Sequence, residues 1–228
     1  MAHNENDLSL LTHAVYSPKN SSNIELPTII LLHGYGAHGL DLLPLAPHLC
    51  EGNALIICPQ APHTVSVPAG YQAPSSNQMF TWEQRDEHGK KIEGDIDEMV
   101  SVLESFIPAA LNKYAADGGK VALVGFSQGG SLAYRLAFSN RITTSAVAAL
   151  STWLPDDLDQ KDNLPLDLPI LVQHGTDDPM VDIARGRESY SRLQNRGANV
   201  TMKEYSMQHE INQDSISDLS IFLAEHLT

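Results

Sequence analysis

The sequence predicts an α/β protein with a mostly parallel central sheet and helices on both of its faces. Short apolar runs rich in Val, Ile and Leu alternate with longer segments of helical periodicity. Several of these runs are almost continuously apolar, which is typical of strands buried on both faces of a parallel sheet. The chain has 228 residues, a length at which sheet-and-helix enzymes usually form one core. We therefore expect a single domain over residues 1–228.

The strands and helices can be placed from the apolar periodicity. The predicted strands cover residues 8–16, 28–33, 54–58, 120–125, 146–150, 170–174 and 200–205. The predicted helices cover residues 94–114, 128–138, 183–196 and 215–227. Pro108 is expected to kink or split the first helix, because proline lacks the N–H that an intrahelical hydrogen bond needs. Gly197 is a stop signal for the third helix.

Residues 59–86 differ from the rest of the chain. They combine Pro, Ser, Gln and Gly with scattered apolar residues, which predicts a long loop with little regular structure. Long ordered loops often serve as lids or binding surfaces. The alternative is a disordered surface insertion. Its exposed apolar residues are expected to act as a lid or as a contact in a homodimer.

Composition and charge narrow the classes of partner. The chain has 14 Lys and Arg against 28 Asp and Glu, a net charge of -14. Nucleic acids and anionic membrane surfaces need basic patches, so we expect neither as a partner. The two cysteines do not make a disulfide framework. The N-terminus lacks the pattern of a signal peptide, and no apolar run is long enough to span a bilayer. We expect a cytoplasmic protein.

The most informative segment joins a predicted strand to a predicted helix through Gly125-Phe126-Ser127-Gln128-Gly129. A Gly-x-Ser-x-Gly sequence in this context is the nucleophile elbow of the α/β-hydrolase fold. The chain must turn sharply there, and Gly125 and Gly129 keep side chains out of the turn. Ser127 is then expected at the carboxyl end of the sheet, where ligands bind in open α/β folds. A Gly-rich turn with an incidental serine is the alternative.

The acid of a catalytic triad is expected after the strand at residues 170–174, because in this fold the order along the chain is Ser, then Asp or Glu, then His. We choose Asp178, since Pro179 favours an extended or turn conformation that aims the carboxylate across the site. Asp177 is the main rival, although it fits a turn-closing role better. Asp182 fits the start of the next helix.

Three histidines follow the serine, and His209 is the predicted general base. It lies between the last strand and the last helix, at the sheet edge expected to hold Ser127. A neutral His209 takes the serine proton, and the acid holds its tautomer. His174 ends a strand before the acid and is predicted to be structural, and His226 lies where a cation meets the end of a helix dipole favourably. A surface histidine without a catalytic role is the alternative for His209.

Acyl transfer also needs donors for the oxyanion of the tetrahedral intermediate. One is the backbone N–H of the residue after the nucleophile, here Gln128. The other is expected from the loop after an early strand, and the Tyr35 N–H is our choice. Gly34 and Gly36 let the backbone approach the substrate closely.

A metal site is not expected in this chain. The early histidines, His33, His38 and His48, have no carboxylate or cysteine that completes a tight ligand set. We interpret His33 as a structural residue that fixes the loop around Tyr35. No cofactor is predicted.

Five motifs occur in a fixed order along the chain. They are Leu-His33-Gly34-Tyr35-Gly36, Gly125-Phe-Ser127-Gln-Gly-Gly130, Leu150-Ser-Thr-Trp-Leu-Pro155, His174-Gly-Thr-Asp-Asp178-Pro-Met-Val181 and Met207-Gln-His209. With them the sequence resembles the small carboxylesterase/acyl-protein thioesterase family, also labelled phospholipase/carboxylesterase. The resemblance implies an α/β-hydrolase fold without a large cap domain. It also implies hydrolysis of short- to medium-chain acyl esters, with thioesters of acylated proteins and lysophospholipids as further candidate substrates.

The resemblance also implies which residues act. Ser127, Asp178 and His209 match the triad, and Tyr35 and Gln128 match the oxyanion donors. The residues expected to bind substrate are Trp82, Trp153, Leu154 and Met180. The family usually has a Trp-Phe pair followed by an acidic residue. Here Trp82 is followed directly by Glu83, so the aromatic pair is shifted.

The sequence therefore predicts a serine ester hydrolase that works through an acyl-enzyme on a small-molecule ester or thioester. A hydrolase fold that binds an apolar ligand or partner without catalysis is the alternative from another class. A peptidase or a lactonase on the same fold is a narrower rival.

Overall fold

A computed structural model describes residues 11–18, 26–65, 78–114, 116, 119–158 and 164–227. The strands in this part of the chain are β1 (His13–Tyr16), β2 (Thr28–Leu32), β3 (Leu55–Pro59), β4 (His63–Thr64), β5 (Phe80–Thr81), β6 (Val121–Phe126), β7 (Ala146–Leu150), β8 (Ile170–Gly175) and β9 (Val200–Tyr205). The α-helices are α1 (Asp95–Lys113), α2 (Gln128–Phe138), α3 (Ile183–Asn195) and α4 (Gln213–Leu227). Short 3₁₀ segments cover Leu43–Gly52 and Asp156–Leu158.

Seven strands form one sheet in the order β1-β3-β2-β6-β7-β8-β9. β1 pairs antiparallel with β3, and every other pairing in this sheet is parallel. The predicted mostly parallel sheet is confirmed, and the fold is that of an α/β-hydrolase. The predicted first strand began at residue 8, and residues 8–10 lie outside the described part of the chain.

The core lies on both faces of the sheet. Strand residues such as Ile30 and Leu123 pack against α1, α2 and α3 on one face. Their neighbours Ile29 and Val124 face the other way, towards α4 and the 3₁₀ segment at Leu43–Gly52. Alternate side chains of a strand point to opposite faces, so the continuous apolar runs of the sequence fill two cores. None of the described helices is long and apolar enough to cross a bilayer.

The predicted helix boundaries agree with the structure to within two residues, but α1 differs at Pro108. The helix runs from Asp95 to Lys113 without a break, with Pro108 inside it. Of the two predicted effects of Pro108, the split is therefore wrong, and the kink stays a prediction. Phe106, Ile107 and Ala110 are all fully buried on either side of the proline. Tertiary packing of an apolar face supplies most of the stability of a helix, so it offsets the missing hydrogen bond.

The predicted loop at residues 59–86 contains more regular structure than expected. β4 and β5 pair antiparallel, with His63 opposite Thr81 and Thr64 opposite Phe80. β5 is also joined to the loop after β2, since the Gly36 N–H donates to the Phe80 carbonyl at 2.8 Å. Residues 66–77 of this segment lie outside the described part of the chain. The described remainder contributes a two-stranded antiparallel pair.

The buried stripe of α1 gives a stability prediction. Leu103 is fully buried in the core between α1 and the sheet, so Leu103→Ala is expected to lower the free energy of unfolding by about 2–5 kcal/mol. Urea unfolding measures this change. The control is Ile221→Ala on α4, where the side chain is 56 % exposed and the expected change is under about 0.5 kcal/mol. Equal unfolding midpoints for the two variants would contradict the assigned core.

Candidate active site

Ser127 forms the turn between β6 and α2. Its backbone has φ 53° and ψ −117°, a conformation that costs energy for any residue other than glycine. The surroundings hold it there: the Ser127 N–H donates to the Leu150 carbonyl at 2.8 Å, and the Ser127 carbonyl accepts from Oγ1 of Thr152 at 2.6 Å. Although Ser127 precedes the first helical residue, its side chain makes no capping hydrogen bond. The hydroxyl is therefore available for other chemistry.

The glycines of the elbow are required by close backbone contacts. A Cβ on Gly125 would lie against the carbonyl of Gly129. A Cβ on Gly129 would collide with the carbonyl oxygens at the end of β2, those of Leu32 and His33. The predicted role of these glycines is thus explained by two contacts, one within the turn and one between α2 and β2.

Asp178 follows β8 and is held at both carboxylate oxygens. Oδ1 accepts hydrogen bonds from the N–H groups of Met180 at 2.8 Å and Val181 at 2.9 Å. Oδ2 accepts a 2.8 Å hydrogen bond from Nδ1 of His209. Burial raises the pKa of the Asp178 carboxyl, but these hydrogen bonds, that from Val181 foremost, outweigh burial and hold the pKa below its ordinary value. The carboxylate is therefore charged near neutral pH.

The other two acids considered from the sequence have different environments. Asp177 is exposed, and among the described residues its carboxylate accepts only from the hydroxyl of its neighbour Thr176, at 3.2 Å. Asp182 caps α3, since its Oδ1 accepts from the Ala184 N–H at 2.8 Å. Asp178 is the one of the three that contacts His209.

His209 lies in the loop between β9 and α4, beside the elbow. Its ring centre is 4.7 Å from that of Phe126, the residue before Ser127. An ionised carboxylate only accepts hydrogen bonds, so Nδ1 of His209 carries the proton that it shares with Asp178. The neutral ring then has an unprotonated Nε2, which is the atom that a general base needs.

His174 is a buried structural residue, as the sequence predicted. Its side chain is fully buried, with Nε2 at 2.8 Å from the Val181 carbonyl and 3.5 Å from Oδ2 of Asp178. Gly186 on α3 leaves room for the ring, since a Cβ there would lie 2.6 Å from Nδ1 of His174. His174 thus packs behind the acid and supports the loop that carries it.

Of the two backbone groups predicted as oxyanion donors, that of Tyr35 lies in the loop after β2, and that of Gln128 lies at the first residue of α2, directly after Ser127. A Cβ on Gly34 would lie 3.3 Å from the Cβ of Ser127, which shows how closely the loop after β2 approaches the serine. The side chain of Gln128 is bound to the segment after β5, because its Oε1 accepts from the Trp82 N–H at 3.1 Å. Within the described part of the chain, neither the Tyr35 nor the Gln128 N–H donates to another protein group.

His33 fixes the loop after β2 through both of its ring nitrogens. Nδ1 lies 2.8 Å from the Gly34 carbonyl, and Nε2 accepts from the Ala61 N–H at 3.1 Å. Burial lowers the pKa of His33, which keeps the ring neutral. Since both nitrogens are already bound to the backbone, His33 has no free atom for a metal ion. The described residues hold no group of three or more His, Cys, Asp or Glu arranged to bind a metal.

A cleft of about 480 Å³ opens beside Ser127 and Gln128. Its walls come from the loop after β2, the segment after β5, the start of α1 and α2, and the loop after β7. The remaining lining residues are Tyr35, Glu83, Arg85, Lys91, Ile96, Ser131, Arg135, Trp153, Pro155, Asp156 and Asp157. Six of these are charged, which no sequence motif indicated.

The structure corrects the predicted substrate contacts of Trp82 and Leu154. Trp82 is fully buried, and its Nε1 donates to the His33 carbonyl at 2.8 Å. Leu154 is 2 % exposed and packs in the core, and its backbone N–H donates a hydrogen bond to Oγ of Ser189. Neither side chain presents surface to the cleft. An aromatic or apolar residue near a site in the sequence can either contact substrate or pack in the core behind the site. The sequence alone does not distinguish these two roles.

The other two predicted substrate-binding residues are accessible but differ in position. Trp153 lines the cleft beside Ser127, with the guanidinium of Arg185 at 5.5 Å from its ring centre. Met180 is 74 % exposed and does not line this cleft. Its backbone N–H instead donates to Asp178.

Two residues that support the site were missed from the sequence. Thr152 bonds the Ser127 carbonyl, and its methyl group fills the space that a Cβ on Gly130 would need. Thr81 is buried and bonds the side chain of Gln128. Thr152 lies two residues after the end of β7, at the carboxyl edge of the sheet, a signal that was present in the sequence. Thr81 lies in the loop at residues 59–86, where no pattern identified it.

The hydrogen bonds of Asp178 give a pH prediction. Because its pKa is lowered on folding, the carboxylate contributes stability above its unfolded pKa of about 3.9 and loses it as pH falls through the folded pKa. Asp178→Asn is therefore expected to be less stable than wild type by about 1.5–3 kcal/mol at pH ~7, and the difference should shrink at pH ~3. Urea unfolding at both pH values measures it. The exposed Asp177→Asn is the control; a constant difference for Asp178→Asn would contradict the prediction.

Comparisons with known proteins agree with this fold. The phospholipase/carboxylesterase family model matches residues 13–227. The chain is 29 % identical over 197 residues to acyl-protein thioesterase 1 of Cryptococcus neoformans var. neoformans serotype D, covering 80 % of this chain and 78 % of that protein. It is 26 % identical over 211 residues to acyl-protein thioesterase 1 homolog 1 of Dictyostelium discoideum, covering 88 % and 90 % of the two chains.

Solved structures share the architecture. The crystal structure of esterase PE8 superimposes with a TM-score of 0.79 at 22 % identity, covering 96 % of this chain and 100 % of that one. The Bacillus cereus carboxylesterase gives a TM-score of 0.73 at 21 % identity, with 98 % and 100 % covered. With the family model matched over nearly the whole described chain, this protein belongs to the phospholipase/carboxylesterase family of α/β-hydrolases, enzymes that act on ester bonds.

Proposed function

We propose that this enzyme hydrolyses acyl esters through a covalent acyl-enzyme on Ser127, with His209 as general base and Asp178 as the residue that orients it. The observation that carries the proposal is the 2.8 Å hydrogen bond between Asp178 and His209, made beside a serine with a strained backbone. Nucleophile and base come from different loops. Acyl transfer needs both groups at one substrate, and the proposal is supported by the position of the His209 ring, whose centre lies 4.7 Å from that of Phe126, the residue before Ser127.

In the first step, Oγ of Ser127 attacks the ester carbonyl carbon while Nε2 of His209 takes the hydroxyl proton. The carbonyl π electrons move onto oxygen, and the resulting oxyanion accepts from the Tyr35 and Gln128 N–H groups. As the intermediate collapses, the C–O bond to the alcohol breaks and His209 gives its proton to the leaving oxygen. Asp178 stabilises the imidazolium throughout.

In the second step, a water molecule attacks the acyl-enzyme and gives its proton to His209. The bond to Oγ of Ser127 then breaks, the serine recovers the proton, and the carboxylic acid leaves. Each half-reaction returns His209 to its neutral form. No cofactor takes part in this sequence.

The substrate is proposed to be a small-molecule ester with a short to medium acyl chain. Thioesters are a second proposed class, supported by the relatives named acyl-protein thioesterase. The thioester reaction uses the same atoms, with a thiol leaving in place of an alcohol. A cytoplasmic location and a homodimer stay predictions from the sequence.

The role of Ser127 is tested with a series of p-nitrophenyl acyl esters of increasing chain length. Ser127→Ala is expected to lower kcat by a factor on the order of 10⁶, since loss of the nucleophile removes the covalent route. The matched control is Ser101→Ala, an exposed serine on α1. Equal rates of ester hydrolysis by wild type and Ser127→Ala would contradict the proposal.

A fluorophosphonate probe separates the enzyme from a protein that only binds an apolar ligand. Trypsin cleavage after Lys120 and Arg135 releases a peptide containing both Ser127 and Ser131, and tandem mass spectrometry locates the label. Labelling is expected on Ser127. A folded wild-type protein whose Ser127 stays unlabelled would favour the binding-only alternative.

The three residues are expected to act as one unit. Asp178→Asn alone should lower kcat by a factor on the order of 10⁴, because His209 loses the partner that fixes its tautomer. The double variant with Ser127→Ala is expected to lose no more than Ser127→Ala alone. Steady-state kinetics on one p-nitrophenyl ester measures all three variants. Additive losses in the double variant would show that Asp178 acts independently of the serine.

A further inference from the structure

The cleft beside Ser127 is unusually charged for a site that takes an acyl chain. Ligand sites for apolar groups are lined mainly by hydrophobic and aromatic side chains. Here Ile96, Trp153 and Pro155 share the lining with three cations and three carboxylates. A long alkyl chain placed against these charges would strip water from them without replacing its hydrogen bonds. The lining therefore fits a substrate with a polar group near the ester.

One cation of the cleft lining has no carboxylate partner among the described residues. Each of the three carboxylates in the lining is paired with a cation. Two of these three cations also line the cleft. The pairs are Glu83 with Lys91 at 2.8 Å, Asp157 with Arg135 at 2.6 Å and Asp156 with Arg192 at 3.0 Å. The remaining cation of the lining is Arg85, which has no carboxylate within 4.0 Å in the described part of the chain. Arg85 is therefore the cation of the lining whose guanidinium is not engaged in an ion pair with a described residue.

Arg85 is held in a defined position over the loop that carries the proposed oxyanion donor. Its guanidinium carbon lies 5.9 Å from the centre of the Tyr35 ring. One guanidinium nitrogen donates to the Gly89 carbonyl at 2.8 Å, and its backbone forms a bridge with Lys91. A tight turn within the same segment adds the hydrogen bond from the Asp86 N–H to the Lys90 carbonyl, at 2.8 Å. Only one of the five guanidinium N–H donors is occupied by a protein acceptor among the described residues.

We propose that Arg85 binds an anionic oxygen group of the substrate, a carboxylate or a phosphate, and so selects esters that carry one. The proposal rests on the proposed function of Ser127. The planar guanidinium fork matches both kinds of anion with two parallel hydrogen bonds. The net charge of -14 repels anions from the protein as a whole, so a negatively charged substrate needs a local cation at the site. Arg85 supplies that cation in the same cleft as Ser127.

The test compares esters that differ only in charge. On the alcohol side, 3-acetoxybenzoate is compared with the neutral 3-acetoxybenzamide. The phosphate arm compares 3-acetoxyphenyl phosphate with the same neutral amide. On the acyl side, the mono-4-nitrophenyl ester of terephthalic acid is compared with 4-nitrophenyl 4-carbamoylbenzoate. The quantity measured is the ratio of kcat/KM for the anionic ester to that for its neutral analogue. The intrinsic reactivity of each ester is the same for every variant, so a change in the ratio reports binding by the protein.

Arg85→Gln is expected to lower this ratio at least tenfold for the pair whose anion reaches Arg85, mainly through KM. Arg85→Lys should keep part of the preference, because it retains the charge but not the fork. Arg141→Gln is the matched control: it removes the same charge from an exposed residue just beyond the far end of α2, outside the cleft, and should leave the ratio unchanged. The arm that responds, carboxylate or phosphate, identifies the group. Ratios that are the same in wild type and Arg85→Gln for all pairs would overturn the proposal.

A binding measurement separates this proposal from that of the reaction. Calorimetry on Ser127→Ala, which does not turn the ester over, is expected to show tighter binding of 3-acetoxybenzoate than of 3-acetoxybenzamide. Adding Arg85→Gln should abolish the difference. If wild type hydrolyses no ester yet this difference is present, the proposed reaction fails and the anion site stands. If esters are hydrolysed but neither anion is bound better than its neutral analogue, the anion site fails and the reaction stands.

Discussion

The site depends on how closely α2 approaches the end of β2. Without a side chain on Gly129, the first turn of α2 lies directly against the carbonyls of Leu32 and His33. This contact places the Ser127 turn beside the loop that carries Tyr35. It also fixes the strained backbone of Ser127, which the hydrogen bonds from Thr152 and to Leu150 hold from the other side. Strain of this kind persists only where several contacts act together.

Around this contact, buried hydrogen bonds position the loops that carry the proposed site residues. His33 is neutral and bound at both nitrogens, and Trp82 packs on it and bonds its carbonyl. The result is a rigid base under the loop of the proposed oxyanion donors. On the opposite side, His174 lies behind Asp178 and bonds the Val181 carbonyl. The loop after β2 and the loop after β8 thus each rest on a buried histidine whose ring bonds the backbone.

Much of this could be predicted because it depends on local sequence. The runs that form β2, β3 and β7 are buried over their full length, so their positions along the chain follow from the apolar pattern. The two-residue strands β4 and β5 carry no such pattern and were not predicted. The elbow was identifiable because the tight turn demands glycine on both sides of Ser127. The choice of Asp178 over Asp177 followed from the proline after it, and the structure gives it the contact with His209. The split at Pro108 was wrong because local propensity yields to the packing of Phe106 and Ile107 on the sheet.

The sequence by itself determined the fold class, the serine turn and the order in which acid and histidine follow it, because each depends on residues adjacent in the chain or on the direction of parallel strands. Only the tertiary structure decided what the cleft is made of. The charged residues of its lining come from separate segments of the chain. Distances of a few ångströms decide that Arg135 pairs with Asp157 while Arg85 has no such pair among the described residues. Trp82, which the sequence predicted to contact substrate, is fully buried in the structure. Burial and charge pairing are properties of neighbours in space, and residue spacing along the chain does not encode them.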